Sequence, residues 1–382
     1  MKSGRKITYI AGFLFSVHLA LTSYVNSSYL ESFINEKYVG IIYVIAAIFT
    51  IWGLLEMPKI LTRFGNRRAT ILFSSISFIS LIALAFTNRG FIALPAFILY
   101  FICANFIIAS LDIFIEDFSK TSSIGKYRGL YLMVINGAWV VAQTISGSII
   151  AKSSYGGIYL YSAGFMALCA SIFVVFLRDF KDPVYEKISI KRTVKVFKEN
   201  KHISKIYLIN LILKFFFAWM VIYTPIYLRE YLHFGWSQIG LIFTIMLLPF
   251  VFLDYPLGKL SDKIGEKKML QLGFTVTILS TLAIPLIKEP KLILWASILF
   301  ATRVGAATIE VLSESYFFKV VTAEQADEIT FFRNTYPLSY LIAPLLAVPI
   351  LLVVPSFKYL FFILGAVMLT GLLITLRLKD VK

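Results

Sequence analysis

The sequence predicts an all-α membrane protein of twelve transmembrane helices, arranged as two pseudo-symmetric six-helix bundles. Three observations predict it. First, 59% of the 382 residues are hydrophobic and 15% charged, with mean hydropathy +0.81; a soluble chain of this length carries more charge. Second, apolar runs of about 20 residues, enough to cross about 30 Å of hydrocarbon, recur along the chain. Third, features of the first half return in the second at an offset near 198–200 residues.

The runs fall at roughly 7–26, 38–57, 69–87, 91–116, 128–151, 157–177, 204–228, 237–257, 269–287, 292–316, 329–353 and 357–377. All are read as helices, because lipid leaves no partner for an unpaired backbone group. The first run ends in Ser23, Asn26, Ser27 and Ser28 and lacks a convincing cleavage site, so it is a span rather than a signal. The expected domains are an N-terminal bundle 1–177, a basic cytoplasmic linker 178–203 and a C-terminal bundle 204–382. In the linker Ile190, Val194 and Phe197 recur at helical spacing among lysines. That pattern fits a short helix on the anionic inner leaflet and equally a solvated connector.

The net charge of +16 follows orientation. With the N-terminus cytoplasmic, 27 Lys and Arg face the cytoplasm and 7 the opposite side, while Lys214, Arg303 and Arg333 fall within spans. This is the positive-inside bias, not a nucleic-acid footprint. It puts both termini in the cytoplasm of a multi-pass protein of the cell (inner) membrane. Cys103 and Cys169 lie inside apolar runs and there are three histidines, so no metal and no cofactor is expected. No hydrolase, zinc-protease or phosphate-loop pattern is present, which excludes the common enzyme classes and an ATP-driven pump.

The repeat is read from pairs in register. Tyr29-Leu30 returns as Tyr227-Leu228, Val39-Gly40 as Ile239-Gly240, Glu56 and Pro58 as Asp254 and Pro256, and Gly65 as Gly265. Asp112 and Glu116 return as Glu310 and Glu314, and Asn136 as Asn334. Two such halves are parallel repeats about an axis along the membrane normal, with a solute site expected at mid-membrane where they meet.

The segment Gly258-Lys259-Leu260-Ser261-Asp262-Lys263-Ile264-Gly265-Glu266-Lys267-Lys268 resembles the G-x-L-(A/S)-D-(R/K)-x-G-(R/K) loop of the major facilitator superfamily, and the resemblance covers essentially the whole chain. The first-half copy keeps Arg63, Gly65 and Arg67-Arg68 but has Pro58 for the first Gly and Thr62 for the Asp. Tyr127-Arg128-Gly129 is similar to the family's R-G. The antiporter-associated motif of span five survives only as Ala142–Gly147, too eroded to assign an antiporter. The resemblance implies that spans 1, 4, 7 and 10 line a central cavity, and that loop acids and bases close the cytoplasmic face as a gate. The gate candidates are Glu56, Arg63, Glu116, Arg128, Asp254, Gly258, Asp262, Lys263, Gly265, Glu314 and Arg333.

Ionisable groups in spans are costly and mark function. Asp112 and Glu116, four residues apart, share a face of span four, as Glu310 and Glu314 do in span ten. Like charges on one face cannot easily both ionise, so Asp112 and Glu310 are proton-coupling candidates; gate salt bridges are the competing reading. Arg303 sits about 12 residues into span ten, or ~18 Å deep. Lys214, followed by Phe215, Phe216, Phe217 and Trp219, and His18 reach comparable depth in spans seven and one. These cations suit an anionic solute; alternatively Glu310 or Asp112 neutralises them. Asn105 occupies the slot equivalent to Arg303, and Asn136 and Asn334 add polar groups in spans five and eleven.

The expected function is a secondary active transporter moving a small organic solute by alternating access, with proton coupling. Its expected partners are that solute, protons and membrane lipids, with no nucleic acid and a monomeric state. The alternatives are a drug or amphiphile exporter of the same fold and a non-transporting membrane sensor.

Overall fold

The computed structural model describes residues 2–117, 124–178, 180, 182, 190–253, 256–257, 260, 264–287, 289–320 and 331–379. Among them the secondary structure is helical throughout, with no strand. In chain order the helices are α1 (Lys2–Ser23), α2 (Asn26–Glu31), α3 (Val39–Phe64), α4 (Asn66–Phe86), α5 (Gly90–Asp117) and α6 (Ile124–Val175). They continue with α7 (Ile190–Glu199), α8 (Lys201–Ile226), α9 (Trp236–Phe252), α10 (Glu266–Ala283), α11 (Leu292–Val320), α12 (Thr335–Val353) and α13 (Tyr359–Leu376).

Among the described residues ten helices are long and apolar enough to cross a membrane and α9 is a shorter apolar helix, which makes twelve once α6 is counted as two limbs. Its backbone breaks at Ser154, where φ is 68° and ψ −175°, in the polar stretch Lys152-Ser153-Ser154 between the fifth and sixth apolar runs. Pro58, Pro95, Pro225, Pro249, Pro344 and Pro349 all lie inside helices. Each removes one backbone donor.

The chain divides into two compact units: Met1–Lys187 with Gly235–Gly240, and Ile188–Phe234 with Leu241–Lys382. In the first, α1 packs on α6, α4 on α5 and α6, and α3 on α5. In the second, α8 packs on α11, α12 and α13, and α10 on α11 and α13. The pairs α4–α5 and α10–α11 are counterparts in the repeat. Gly273 and Gly305 let the α10 and α11 backbones touch: a Cβ on Gly305 would stand 2.6 Å from the Gly273 carbonyl oxygen.

The two loop glycines take matching backbones. Gly65 has φ 77° and ψ 154°, and Gly265 φ 92° and ψ 145°, a region open essentially to glycine alone. Each immediately precedes a helix, so the sequence repeat returns as the same turn at α3–α4 and before α10. Hydroxyls buried in the spans mostly bond their own helix. Thr50, Thr70 and Thr277 each donate to the carbonyl four residues back, at 2.7–2.8 Å, so they need no ligand.

The amphipathic segment after span six is a helix, α7. Its Phe197 is buried against Tyr207 and Phe331, at centroid distances of 5.2 and 4.8 Å, so this apolar side chain is spent on the protein.

Candidate functional site

The charged candidates of the second unit gather on α8 and α11. Lys214 Nζ donates to Glu310 Oε1 at 2.5 Å. The side chains keep 15% and 30% of their exposure, so the pair is half-buried. Arg303, two helical turns before Glu310, does not share that carboxylate. It is 1% exposed, and both terminal guanidinium nitrogens lack a hydrogen-bond partner. Its guanidinium carbon lies 5.0 Å from the Phe216 ring and 5.6 Å from Phe217, while Lys214 Nζ lies 5.2 Å from Phe217. Two cations therefore flank one aromatic ring, and one carboxylate serves only the first of them. Lys214 is thus neutralised by Glu310, and Arg303 is not. Glu310 reaches across to α8, and nothing acidic among the described residues closes on Arg303.

Below this cluster Glu314 accepts from Arg333 through both oxygens, at 2.5 and 3.2 Å, the fork geometry that guanidinium and carboxylate share. Asn334 sits at the start of α12. Its neighbour Thr335 accepts from Asn210 Nδ2 at 2.9 Å and ties α12 to α8. Asn210, Trp219 and Tyr223 are buried α8 residues that sequence reasoning missed as polar; Asn210 Oδ1, Trp219 Nε1 and Tyr223 Oη have no partner. Aromatic runs in a span look like lipid-facing bulk, so only burial distinguishes them.

The first unit presents a neutral counterpart. His18 in α1 is fully buried. Its Nδ1 donates to the Phe15 carbonyl oxygen at 2.5 Å, and Nε2 has no partner. Its ring packs 4.8 Å from Phe15 and edge-on to Tyr100 at 5.9 Å. Thr22 and Tyr100 share a 2.8 Å hydroxyl bond, and Gln143 donates to the Ala20 carbonyl oxygen at 2.5 Å, pinning α6 to α1. Asn105 is buried, but its amide donates to the Phe101 carbonyl oxygen of its own helix at 2.9 Å. Asn136 and Asp112 are half-buried on α6 and α5.

Of the gate candidates, Glu56 pairs with Lys59 of its own helix at 2.5 Å, and Arg63 lies over the neighbouring Phe64 ring at 5.3 Å. Asp254, Gly258, Asp262 and Lys263 lie outside the described residues, as do the side chains of Glu116 and Arg128. One acid that sequence reasoning did not single out is Asp182. Its Oδ1 accepts from the Asn66 backbone N–H at 2.5 Å, at the N-terminus of α4.

These apolar spans with a buried, ion-paired polar cluster are those of a multi-pass membrane protein. The model of the Major Facilitator Superfamily matches residues 8–237 and 207–382, and the chain belongs to that family. Among solved structures it is similar to the nucleoside transporter NupG (D323A mutant), at 11% identity and TM-score 0.78, covering 98% of this chain and 99% of that one. It is also similar to an auto inhibited POT family peptide transporter, at 12% identity, TM-score 0.78 and coverage of 99% and 98%. A POT family transporter in complex with 5-aminolevulinic acid gives 14% identity and TM-score 0.75, covering 98% and 95%. No curated protein matches the sequence.

Proposed function

We propose that this protein is a proton-coupled secondary active transporter for a small, carboxylate-bearing organic solute. It works by alternating access as a monomer in the cell (inner) membrane, with both termini cytoplasmic. The observation that carries this reading is Arg303, a fully buried guanidinium whose two terminal nitrogens are unpartnered. An unpaired buried charge costs several kcal/mol. Stacking on aromatic rings returns about 2 kcal/mol, which leaves a deficit. A solute carboxylate arriving in bidentate geometry removes that deficit.

Glu310 supplies the proton coupling in this reading. While ionised it holds Lys214. A proton on Glu310 abolishes that attraction and releases Lys214 beside Phe217, so the site carries two available cations when a proton is aboard and one when it is not. Proton uptake and anion binding then favour each other, which is positive coupling between two sites. The Glu314–Arg333 pair is the cytoplasmic gate of this unit. In the first unit His18 keeps a bare Nε2, and the Asn105 amide is already bonded within its own helix. A nucleoside and 5-aminolevulinic acid, the solutes of two of these similar structures, are small and polar, the size class proposed here. Export of a neutral amphiphile would use Phe216 and Phe217 but leaves Arg303 without a counter-charge.

The test is uptake into proteoliposomes with and without an imposed pH gradient, with solutes chosen by a thermal-shift screen of carboxylates. A solute at 100 times its Kd stabilises the protein by about 2.7 kcal/mol. Arg303→Ala is expected to abolish binding, and Glu310→Gln to leave binding while removing the response to the gradient. Normal proton-driven accumulation in both variants would falsify the assignment.

A further inference from the structure

The first unit carries its own concentration of positive charge, at the α3–α4 turn. A pocket of about 540 Å³ opens at the α3–α4 turn, lined among others by Arg63, Arg67, Arg68, Arg178 and Asp182. Four guanidinium groups and one carboxylate leave it strongly positive. Among the described residues none of the four arginines forms an ion pair. Arg67 is spent on structure: it donates to the Phe173 and Val174 carbonyl oxygens near the end of α6, at 2.9 and 2.7 Å. Arg63, Arg68 and Arg178 are exposed.

The pocket's depth says what fits it. The apolar stretches Glu36–Phe64 and Asn66–Phe86 meet at this turn, and the second limb of α6 ends at Val175, three residues before Arg178. The pocket therefore stands at the height where hydrocarbon gives way to headgroups. Its margin is apolar and open: Phe64 is 46% exposed and Phe176 62%. Side chains of this kind suit acyl chains running past a charged head.

We infer that this pocket is a binding site for the phosphate of an anionic membrane lipid, held chiefly by Arg68 and Arg178, with the acyl chains against Phe64 and Phe176. Asp182 shapes the site as a tethered competitor. Its Oδ1 takes the Asn66 N–H, and its Oδ2 lies where a Cβ on Gly65 would stand, only 2.4 Å away. Phe180 holds this segment against Phe114, with ring centroids 4.6 Å apart. The α4 N-terminus, the strongest anion position of the pocket, is thus filled by the protein's own carboxylate, and the lipid phosphate takes the arginines around it.

The experiment places the full-length protein in nanodiscs of phosphatidylcholine with or without phosphatidylglycerol. It reads the thermal unfolding midpoint and, by native mass spectrometry, the number of retained phosphatidylglycerol molecules. The expected result is a higher midpoint and one strongly retained lipid. Each arginine removed is expected to weaken retention about fivefold, so Arg68→Gln with Arg178→Gln weakens it about 25-fold. Asp182→Asn is expected to strengthen it. Lys195→Gln with Lys198→Gln on α7 controls for general attraction. Equal retention in the arginine variant overturns the proposal, and so does an equal loss in the α7 variant. Inorganic pyrophosphate is the soluble arm: if it raises the midpoint as much as the lipid does, the lipid assignment falls. Should the double variant prove too unstable in phosphatidylcholine, retention by Arg68→Gln alone decides.

Discussion

The interiors of the two units, built on the same repeat, have diverged in charge. Helix α1 opens the first unit and α8 the second. Helix α1 carries His18, bonded to its own backbone, and α8 carries Lys214, bonded to Glu310. In α5 Asn105 stands where α11 of the second unit has Arg303. Asn105 is satisfied by Phe101 within α5, whereas Arg303 has no partner at either terminal nitrogen. The first-unit counterparts are thus neutral, with His18 Nε2 left bare, and the second unit holds a buried cation without a hydrogen-bond partner. A polar group that is fully satisfied does structural work. In the proposed reading the buried, unsatisfied guanidinium of Arg303 is the solute anchor.

The largest test of that contrast breaks the ion pair from one side. Lys214→Ala or Glu310→Ala leaves a charge stranded and is expected to cost about 3–5 kcal/mol, read as a fall in the detergent-solubilised thermal midpoint. The double variant Lys214→Met with Glu310→Leu is expected to recover most of it. Next comes Arg303→Met, which should act with opposite signs on two readouts. Solute binding weakens by about 2–5 kcal/mol, while the empty protein gains about 1–4 kcal/mol. A loss of both would show Arg303 to be a scaffold residue.

A smaller effect separates the two turns. Alanine at Gly65 or Gly265 is forced into a glycine-only backbone at a cost of about 1–3 kcal/mol. At Gly65 it also strikes the Asp182 carboxylate. Gly65→Ala is therefore expected to lower the midpoint more, and Asp182→Ala to narrow the gap between the two. The smallest effect is expected at Asn105→Ala: about 1 kcal/mol of stability and unchanged solute affinity. A binding loss there would erase the distinction between the units.

Much of this was legible in the sequence because membranes simplify the code. Apolar run length sets the spans, and the break at Ser154 falls in the polar gap between two runs. Arg303, Lys214 and Glu310 stood out because charges in apolar runs are rare. Their pairing did not. The sequence left open which cation Glu310 or Asp112 would neutralise, and Glu310 closes on Lys214, 96 residues away in the chain. Asp182 left no signal at all. It is 116 residues from the amide it caps, and no periodicity links a residue after span six to the turn after span two.

By itself the sequence determined the membrane bundle, its orientation bias and its duplicated plan, because all three follow from how many apolar residues lie between charges. Only the tertiary structure decided which charges neutralise one another and which stay bare. Pairing depends on side chains converging within about 3 Å across different helices, and that distance is set by packing, not by order along the chain.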